Sequence, residues 1–304
     1  MQAVRIHDYG GSEVLVLEEA PRLEPGAGQI LIRLKAAGVN PIDWVMRGGS
    51  YKQFMPLQFP WTPGVEGAGV VESVGTGVTT FKHGQEVYGI VTGGYAEYAI
   101  AAANDIQIKP ANLDFEQAAS VPMGALTAWG AVVNTAKVGA GQRVLVQGAA
   151  GGVGSFAVEL ARWLGARVTG TASAGNLEFV RSLGAESAID YNAAPFETVV
   201  HDMGVVIDTV GGDVSARSLK VLRPNGILVT VAGRLPEHAG QAEGVRAMNG
   251  GRAPTETLSR ISELIESKEI RPIVGKVFPL AEARQAQELS STRHGRGRII
   301  LKIQ

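Results

Sequence analysis

One stretch, residues 144–154, constrains the fold of this chain more than any other. It reads Val-Leu-Val-Gln-Gly-Ala-Ala-Gly-Gly-Val-Gly, an apolar run that leads into closely spaced glycines, and a helical pattern follows it. A strand, a glycine-rich turn and a helix in this order let the backbone approach a pyrophosphate, and the helix N-terminus offers free N–H groups. The alternative is a glycine-rich turn without a ligand. The pattern predicts dinucleotide binding by Gly148, Ala149, Gly151, Gly152, Val153 and Gly154.

The pattern of apolar runs divides the chain into two kinds of sequence. Residues 1–116 contain short β-type runs bounded by Gly, Pro and Asn, and the last run, residues 298–303, resembles them. Between these parts, apolar runs alternate with helical patterns, which is typical of a doubly wound parallel sheet. We therefore predict an α/β protein of two domains: a β-rich domain of residues 1–116 and 268–304, and a doubly wound domain of residues 117–267.

Composition excludes several functional classes. The chain has no cysteine, which removes disulfides, thiolate nucleophiles and cysteine-based zinc sites. Its net charge is −1 and it has no long basic stripe, so we expect no nucleic-acid partner. A run of about 18 apolar residues, which a membrane-spanning helix requires, is missing from the sequence. Since the N-terminus also has no signal-peptide pattern, we expect a cytoplasmic protein that does not bind membranes.

The end of the second strand of the doubly wound sheet bears on which dinucleotide binds. NAD-binding folds place an Asp or Glu there to hold the ribose 2′-hydroxyl, whereas residues 168–173 read Val-Thr-Gly-Thr-Ala-Ser. The absence of an acid permits a 2′-phosphate, to which Ser173 could donate a hydrogen bond. No cation stands nearby, and Asn176 is polar but uncharged. We therefore favour NADPH over NADH and include Thr171, Ser173 and Asn176 among the cofactor-binding residues.

Further stretches outside the glycine motif carry a family resemblance. They are residues 36–43, 63–71, 93–98, 121–128, 183–191, 208–212 and 295–299. Together with the glycine motif they resemble the medium-chain dehydrogenase/reductase superfamily, and within it the zinc-independent quinone oxidoreductase branch with its zeta-crystallin-like proteins and plant alkenal reductases. The resemblance covers nearly the whole chain. It implies a GroES-like β-barrel catalytic domain, a Rossmann cofactor domain and a homodimer.

The resemblance also bears on zinc. Zinc-dependent alcohol dehydrogenases of this superfamily use a Cys in the region matched by residues 38–43 and a His directly before the glutamate matched by Glu66. This chain has Asn40 in the first region and Val65 before Glu66, and its five histidines show no paired spacing. We expect no zinc and a structural Glu66. Without a Lewis acid, alcohol oxidation loses its usual activation of the hydroxyl, whereas a polarised C=C bond or a quinone needs less help.

We therefore expect an NADPH-dependent reductase that transfers hydride to a small electron-poor molecule, a quinone or an α,β-unsaturated carbonyl compound. Asn40 is a candidate donor to the substrate oxygen, where negative charge develops, or the first residue of a turn before Pro41. Asp43 is a second candidate, or a structural turn acceptor. The resemblance places Tyr51 in the substrate pocket, the alternative being a surface or packing role. These three residues are the predicted catalytic set.

Other cofactor-binding residues are implied mainly by the resemblance. Thr127 matches a threonine that reaches the nicotinamide or its ribose, the alternative being a hydroxyl bonded to its own helix. Tyr191 resembles a tyrosine that contacts adenosine, and Val210 lies in the matching segment 208–212. At the carboxyl end of a strand, where ligands bind in such sheets, we expect Val231, Ala232 and Gly233. Arg296 and Arg298, near the C-terminus, are interpreted as solvated.

Two other functions remain open at this point. An enoyl-thioester reductase of the same superfamily would need a basic groove for the phosphates of its substrate, and no basic cluster precedes Arg293. A non-catalytic NADPH-binding sensor or structural protein would use the same fold without turnover. Comparing free enones with enoyl thioesters as substrates distinguishes the thioester reductase from the quinone or enone reductase. NADPH binding without turnover would indicate the sensor or structural protein.

Overall fold

The computed structural model describes residues 1–303 and divides them into two compact units. Unit 1 is formed by Met1–Met123, Thr255–Glu266 and the residues from Pro272 onward. Unit 2 is formed by Gly124–Pro254 and Ser267–Arg271. Within residues 1–303, no helix combines the length and the apolar character that crossing a membrane requires.

Unit 1 consists mainly of β-strands. Its strands are β1 (Gln2–Arg5), β2 (Val16–Glu19), β3 (Gln29–Val39), β4 (Glu66–Val74), β5 (Glu86–Ile90), β6 (Tyr98–Ala102), β7 (Ile106–Ile108), β14 (Val274–Pro279) and β15 (Arg298–Lys302). β1 and β2 form a hairpin-like antiparallel pair, and the others form a seven-stranded sheet in the order β14-β15-β3-β4-β5-β7, with β6 on β3. Among the strand pairs of this unit within residues 1–303, only β14 and β15 are parallel. The C-terminal strand therefore returns to the first part of the chain, as its sequence pattern indicates.

The central strand β3 contributes several side chains to the hydrophobic core of unit 1. Ile30, Ile32 and Leu34 alternate along it and are fully or almost fully buried, together with Val71 of β4 and Val87 of β5. Residues two apart in a strand point to the same face, so these side chains form one buried layer, and Leu31 on the opposite face is buried as well. The helices of unit 1 are α1 (Pro41–Arg47), α2 (Phe115–Ala119), α7 (Thr257–Glu266) and α8 (Ala283–Ser291).

Unit 2 is built on a six-stranded sheet in which all neighbouring strands are parallel. Its elements are α3 (Pro122–Trp129, which begins in unit 1), β8 (Arg143–Gln147), α4 (Gly154–Trp163), β9 (Arg167–Ala172), α5 (Leu177–Ser182), β10 (Ser187–Asp190), β11 (Met203–Asp208), α6 (Asp213–Leu219), β12 (Leu222–Thr230) and β13 (Arg246–Asn249). The strand order β10-β9-β8-β11-β12-β13 is the 3-2-1-4-5-6 order of dinucleotide-binding folds. The prediction of a doubly wound parallel sheet is confirmed.

The segment around α7 belongs to a different unit from the one that the sequence pattern suggests. Leu258, Ile261 and Leu264 on its apolar face are buried. The hydroxyl of Tyr88, on β5, lies 2.7 Å from Ser262 Oγ. These contacts place α7 with the β-rich unit, whereas its chain position and its helical pattern suggest the α/β domain.

Candidate active site

The carboxyl ends of the parallel strands gather most of the predicted cofactor-binding residues at one edge of unit 2. The strand order reverses between β8 and β11, and ligands of such sheets bind at this switch point. The turn after β8 carries the glycine motif. The residues at or just beyond the carboxyl ends of β8 to β12 are Gly148, Ala149, Gly151, Gly152, Val153, Gly154, Thr171, Ser173, Asn176, Tyr191, Val210, Val231, Ala232 and Gly233.

The turn between β8 and α4, residues 148–154, is called the glycine loop below. Gly148 has φ +69°, in the left-handed region that favours glycine. Gly151 N donates to Gly148 O over 3.0 Å. A Cβ on Gly154 would overlap that same carbonyl oxygen, so α4 packs directly against the turn. The N–H groups of Gly152, Val153 and Gly154 have no acceptor within residues 1–303 and lie at the positive end of α4, which fits a pyrophosphate.

Thr127 lies on a helix that contacts the glycine loop. A Cβ on Gly124, in α3, would come within 2.8 Å of Gly152 O. Thr127 follows Gly124 by three positions, so both residues lie on the same side of α3. Its predicted contact with the nicotinamide or ribose stays a prediction.

The part of the edge that is predicted to bind adenosine contains one acidic residue that was not among the predicted residues. Asn176 Nδ2 donates to Ser173 Oγ over 3.1 Å, and Tyr191 is half exposed. No acid follows β9, but Asp190 ends β10 and pairs in register with Ala172, the last residue of β9. Asp190 Oδ1 accepts from Asn192 N over 3.0 Å. The sequence around β9 does not reveal Asp190, because neighbouring strands of a sheet are not adjacent in the sequence.

In unit 1, Glu66 is the centre of a buried polar cluster. Glu66 is fully buried at the start of β4; its Oε1 accepts from Asn40 Nδ2 over 2.7 Å and from the guanidinium of Arg298. Its Oε2 accepts from Met123 N over 2.7 Å. Arg298 Nη2 also donates to Asn40 Oδ1 over 2.8 Å. The carboxylate thus has a countercharge and two further donors, as a buried charge requires.

The interpretation of Arg298 as a solvated residue is wrong. Arg298 is 6% exposed and ion-paired with Glu66. The cause is the antiparallel pairing of β15 with β3, in which Ile299 faces Val39 and Arg298 therefore lies beside Asn40. These partners are separated by more than 200 residues, so the short pattern around Arg298 could not reveal them.

The buried side chain of Asp43 caps the N-terminus of α1. Asn40 N donates to Asp43 Oδ2 over 2.8 Å, forming a capping box, and Tyr95 Oη donates to the same oxygen over 3.0 Å. Gly64 N lies 3.3 Å from Oδ1. The side chains of Asn40 and Asp43 thus both make hydrogen bonds within the protein. Their predicted contacts with substrate stay predictions, and each would act through a side chain that already has partners.

Tyr51 differs from the other two predicted catalytic residues. It lies in the loop after α1, is 46% exposed, and its hydroxyl makes no hydrogen bond within residues 1–303. Phe54 and Met55, in the same loop, are 83% and 61% exposed, and Phe59 is 37% exposed. Large apolar side chains in this number are unusual on one short surface loop. We call residues 51–59 the aromatic loop.

Burial raises the pKa of Asp43 from 3.8 to about 7, against the opposing effect of its hydrogen bonds from Asn40 N and Tyr95 Oη. A raised carboxyl pKa means that the folded protein binds more protons than the unfolded chain between these two values. Its stabilising contribution is therefore complete below about pH 4 and is lost as pH rises through 7. Burial also raises the pKa of Glu159, in unit 2, to about 7, so both groups act in the same direction.

We expect Asp43→Asn to reduce the pH dependence of stability. Each of the two groups contributes a slope of up to about 1.4 kcal/mol per pH unit, so removing one leaves roughly half of their combined slope. Urea unfolding between pH 5 and 8 measures the free energy of unfolding at each pH. A variant with the full wild-type slope would contradict the assignment, whatever its absolute stability.

Comparison with known proteins agrees with both units. Residues 26–111 match the family described as alcohol dehydrogenase GroES-like domain, and residues 183–301 match the family described as zinc-binding dehydrogenase. An Arabidopsis thaliana relative named NADPH-dependent alkenal/one oxidoreductase, chloroplastic, is 35% identical over 319 residues, covering 99% of this chain and 79% of its own. The chain belongs to the medium-chain dehydrogenase/reductase superfamily, in its quinone oxidoreductase branch.

Solved structures support the same assignment. The quinone oxidoreductase from Coxiella burnetii superposes with a TM-score of 0.91 at 34% identity, covering 100% of this chain and 99% of its own. An NAD-dependent alcohol dehydrogenase gives a TM-score of 0.92 at 30% identity, with both chains covered completely. The prediction of a GroES-like domain with a Rossmann domain is confirmed. The enzyme is an NAD(P)H oxidoreductase.

The zinc in the name of one matching family raises the question whether this enzyme can hold that metal. No group of three or more His, Asp or Glu side chains suited to a metal ion occurs within residues 1–303. The carboxylate of Glu66 accepts from Arg298, Asn40 Nδ2 and Met123 N, so N–H donors already occupy both of its oxygens. Catalytic zinc sites use three protein ligands of the His, Cys and carboxylate type. The residues around Glu66 do not fit one.

Proposed function

We propose that this enzyme uses NADPH, without zinc, to reduce quinones or α,β-unsaturated carbonyl compounds. The observation that carries the proposal is the glycine loop with the N-terminus of α4 at the switch point of a 3-2-1-4-5-6 sheet. Bound there, the cofactor supplies a hydride from its nicotinamide ring. The names of the Arabidopsis thaliana and Coxiella burnetii proteins support the two acceptor classes.

The chain's own residues would hold the dinucleotide along the edge of unit 2. The N–H groups of Gly152, Val153 and Gly154, which have no acceptor within residues 1–303, bind the pyrophosphate. Ser173, Asn176 and Tyr191 lie beyond the ends of β9 and β10 and contact the adenosine half. Thr127, Val210 and residues 231–233 contact the nicotinamide half. The position of each residue at or near one edge supports this division.

The preference for NADPH rests on two features of the adenosine end. The turn after β9 has no carboxylate to repel a 2′-phosphate, and Ser173 offers a hydroxyl. Asp190 is the nearest acid in register, and its Oδ1 is engaged by Asn192 N. Relatives are named for both cofactors, since the Arabidopsis thaliana protein is NADPH-dependent and the alcohol dehydrogenase is NAD-dependent. A direct comparison of the two cofactors is therefore the decisive measurement.

The acceptor would be bound chiefly by apolar contact. Tyr51 in the aromatic loop combines an exposed ring with a hydroxyl free to donate to a carbonyl oxygen, and flat rings stack well on aromatic side chains. Negative charge develops on that oxygen during reduction, so a positioned donor stabilises it. Neither an acidic nor a basic catalyst is required at Asn40 or Asp43. The proton that completes the reaction comes from water or through Tyr51.

We expect the wild-type enzyme to oxidise NADPH when a quinone or a short enone is present, and to do so more efficiently than NADH. The loss of absorbance at 340 nm, measured with each cofactor and a panel of quinones, enones, alcohols and enoyl thioesters, gives kcat/KM for every pair. Turnover with no acceptor would contradict the proposal, and equal kcat/KM for NADH would remove its cofactor preference. A tenfold advantage for enoyl thioesters would favour the thioester reductase instead.

We further propose a cytoplasmic homodimer. The absence of cysteine suits a reducing compartment. β13 is an edge strand of the unit 2 sheet, with Met248 46% exposed. The outer side of such a strand presents unpaired backbone groups that the β13 strand of a second copy can pair with. Light scattering that gives the mass of one chain at micromolar concentration would contradict the dimer.

A further inference from the structure

Three polar side chains lie directly beneath the glycine loop. Gln147, the last residue of β8, and Thr171, on β9, are each 2% exposed, and Ser218, on α6, is fully buried. Gln147 Oε1 accepts from Thr171 Oγ1 over 2.6 Å, and Gln147 Nε2 donates to Ser218 Oγ over 3.0 Å. We call these three residues the polar tie. The polar tie connects the carboxyl ends of β8 and β9 to α6, the helix that follows β11 in the chain.

The polar tie holds the start of the glycine loop. Gly148 N donates to Thr171 Oγ1 over 3.1 Å, and Ala149 N donates to the backbone oxygen of Thr171 over 2.9 Å. The threonine hydroxyl therefore accepts from the loop while it donates to Gln147. These two N–H groups and that of Gly151 are used inside the protein, whereas the N–H groups of Gly152, Val153 and Gly154 have no acceptor within residues 1–303 and remain for a ligand.

The hydrogen bonds of Thr171 indicate that its side chain holds the glycine loop and does not contact the cofactor directly. Its hydroxyl is buried and both of its hydrogen-bonding functions are in use. Loss of the hydroxyl would leave Gly148 N without its acceptor and Gln147 Oε1 without its donor, at a buried position where such groups are costly. The loop would then move to satisfy them. Small displacements of a binding group weaken a site strongly, because its N–H groups no longer point at the ligand.

We propose that Thr171 and Gln147 are positioning residues that orient the glycine loop for the dinucleotide pyrophosphate. The inference rests on the proposed dinucleotide binding and replaces a contact between Thr171 and the cofactor by an action through Gly148. NADPH and NADH share the pyrophosphate and differ only at the ribose 2′ position. If Thr171 positions the loop, its substitution therefore weakens the binding of both cofactors by the same factor. If Thr171 contacts the 2′-phosphate, its substitution weakens the binding of NADPH alone.

The test compares Thr171→Val, which removes the hydroxyl at nearly constant volume, with Thr171→Ser, which retains it. Titration calorimetry with NADPH and with NADH gives the two dissociation constants. We expect Thr171→Val to raise both by about tenfold, with kcat at saturating NADPH within about twofold of wild type, because a uniform loss of binding leaves the chemical step unchanged. Thr171→Ser should restore both constants to within about threefold of wild type.

Thr169→Val is the matched control. Thr169 lies on the same face of β9, two residues earlier, and its hydroxyl pairs with Ser187 Oγ over 2.9 Å, away from the glycine loop. We expect its dissociation constants to equal those of wild type. If Thr171→Val does not fold, Ser218→Ala tests the other end of the polar tie. This variant should raise the dissociation constants of NADPH and NADH by the same factor, which should be smaller than the factor expected for Thr171→Val.

Three results separate the possible failures. A folded Thr171→Val enzyme with wild-type affinity for both cofactors overturns the inference. Weaker binding of NADPH alone overturns it as well, because this indicates a contact at the 2′-phosphate. A wild-type enzyme that binds neither dinucleotide refutes the proposed function itself, before any variant is compared.

Discussion

Gly154→Ala should lower the affinity of the enzyme for its dinucleotide by about 100-fold. The added Cβ would overlap Gly148 O, a backbone atom. Gly148 cannot move aside freely, because its N–H is bonded to Thr171 Oγ1 and its carbonyl accepts from Gly151 N. The N-terminus of α4 must shift instead. Its N–H groups then no longer converge on the pyrophosphate, and the favourable end of the helix dipole moves with them.

Titration of the Gly154→Ala variant with NADPH measures the loss. Gly139→Ala is the control, since Gly139 lies in the same unit and a Cβ there would meet no atom within 4 Å. The control should bind NADPH as wild type does. Both variants should show the far-ultraviolet circular dichroism of wild type, because the change concerns one turn. Wild-type affinity in the Gly154→Ala variant would exclude the glycine loop as the pyrophosphate site.

Arg298→Met should destabilise unit 1 by about 3–5 kcal/mol, the range measured when one partner of a buried ion pair is removed. Glu66 is fully buried and would keep only Asn40 Nδ2 and Met123 N as donors. Its negative charge would have no countercharge in a region of low dielectric constant. Asn40 Oδ1 would also lose its donor, Arg298 Nη2.

Urea unfolding of four variants tests the origin of this loss. Arg167→Met removes an arginine whose ion pair with Glu186 is largely exposed, so we expect a loss below about 1 kcal/mol. Glu66→Gln combined with Arg298→Met removes both charges and should regain much of the stability that Arg298→Met alone loses. Glu66→Gln alone completes the double-mutant cycle. Equal losses for Arg298→Met and Arg167→Met would show that the buried pair contributes no more than a surface pair.

Local patterns in the sequence determined the dinucleotide-binding part of this protein. β8, the glycine loop and α4 are contiguous in the chain, so their order could be recognised from residues 144–164 alone. The apolar runs of β8 and β11 predicted central parallel strands, because strands covered on both faces need no polar alternation. Since parallel strands end at a common edge, the residues after them could be assigned to one site before their coordinates were known.

Only the tertiary structure decided how the polar groups are used. Arg298 follows a basic surface-like segment, yet strand pairing buries it against Asn40 and Glu66. Thr171 stands where a cofactor contact is expected, yet its hydroxyl turns inward to Gly148 and Gln147. In each case the partner is distant in the chain. Hydrogen bonds and ion pairs depend on distances of about 3 Å between such partners, which a one-dimensional pattern does not contain.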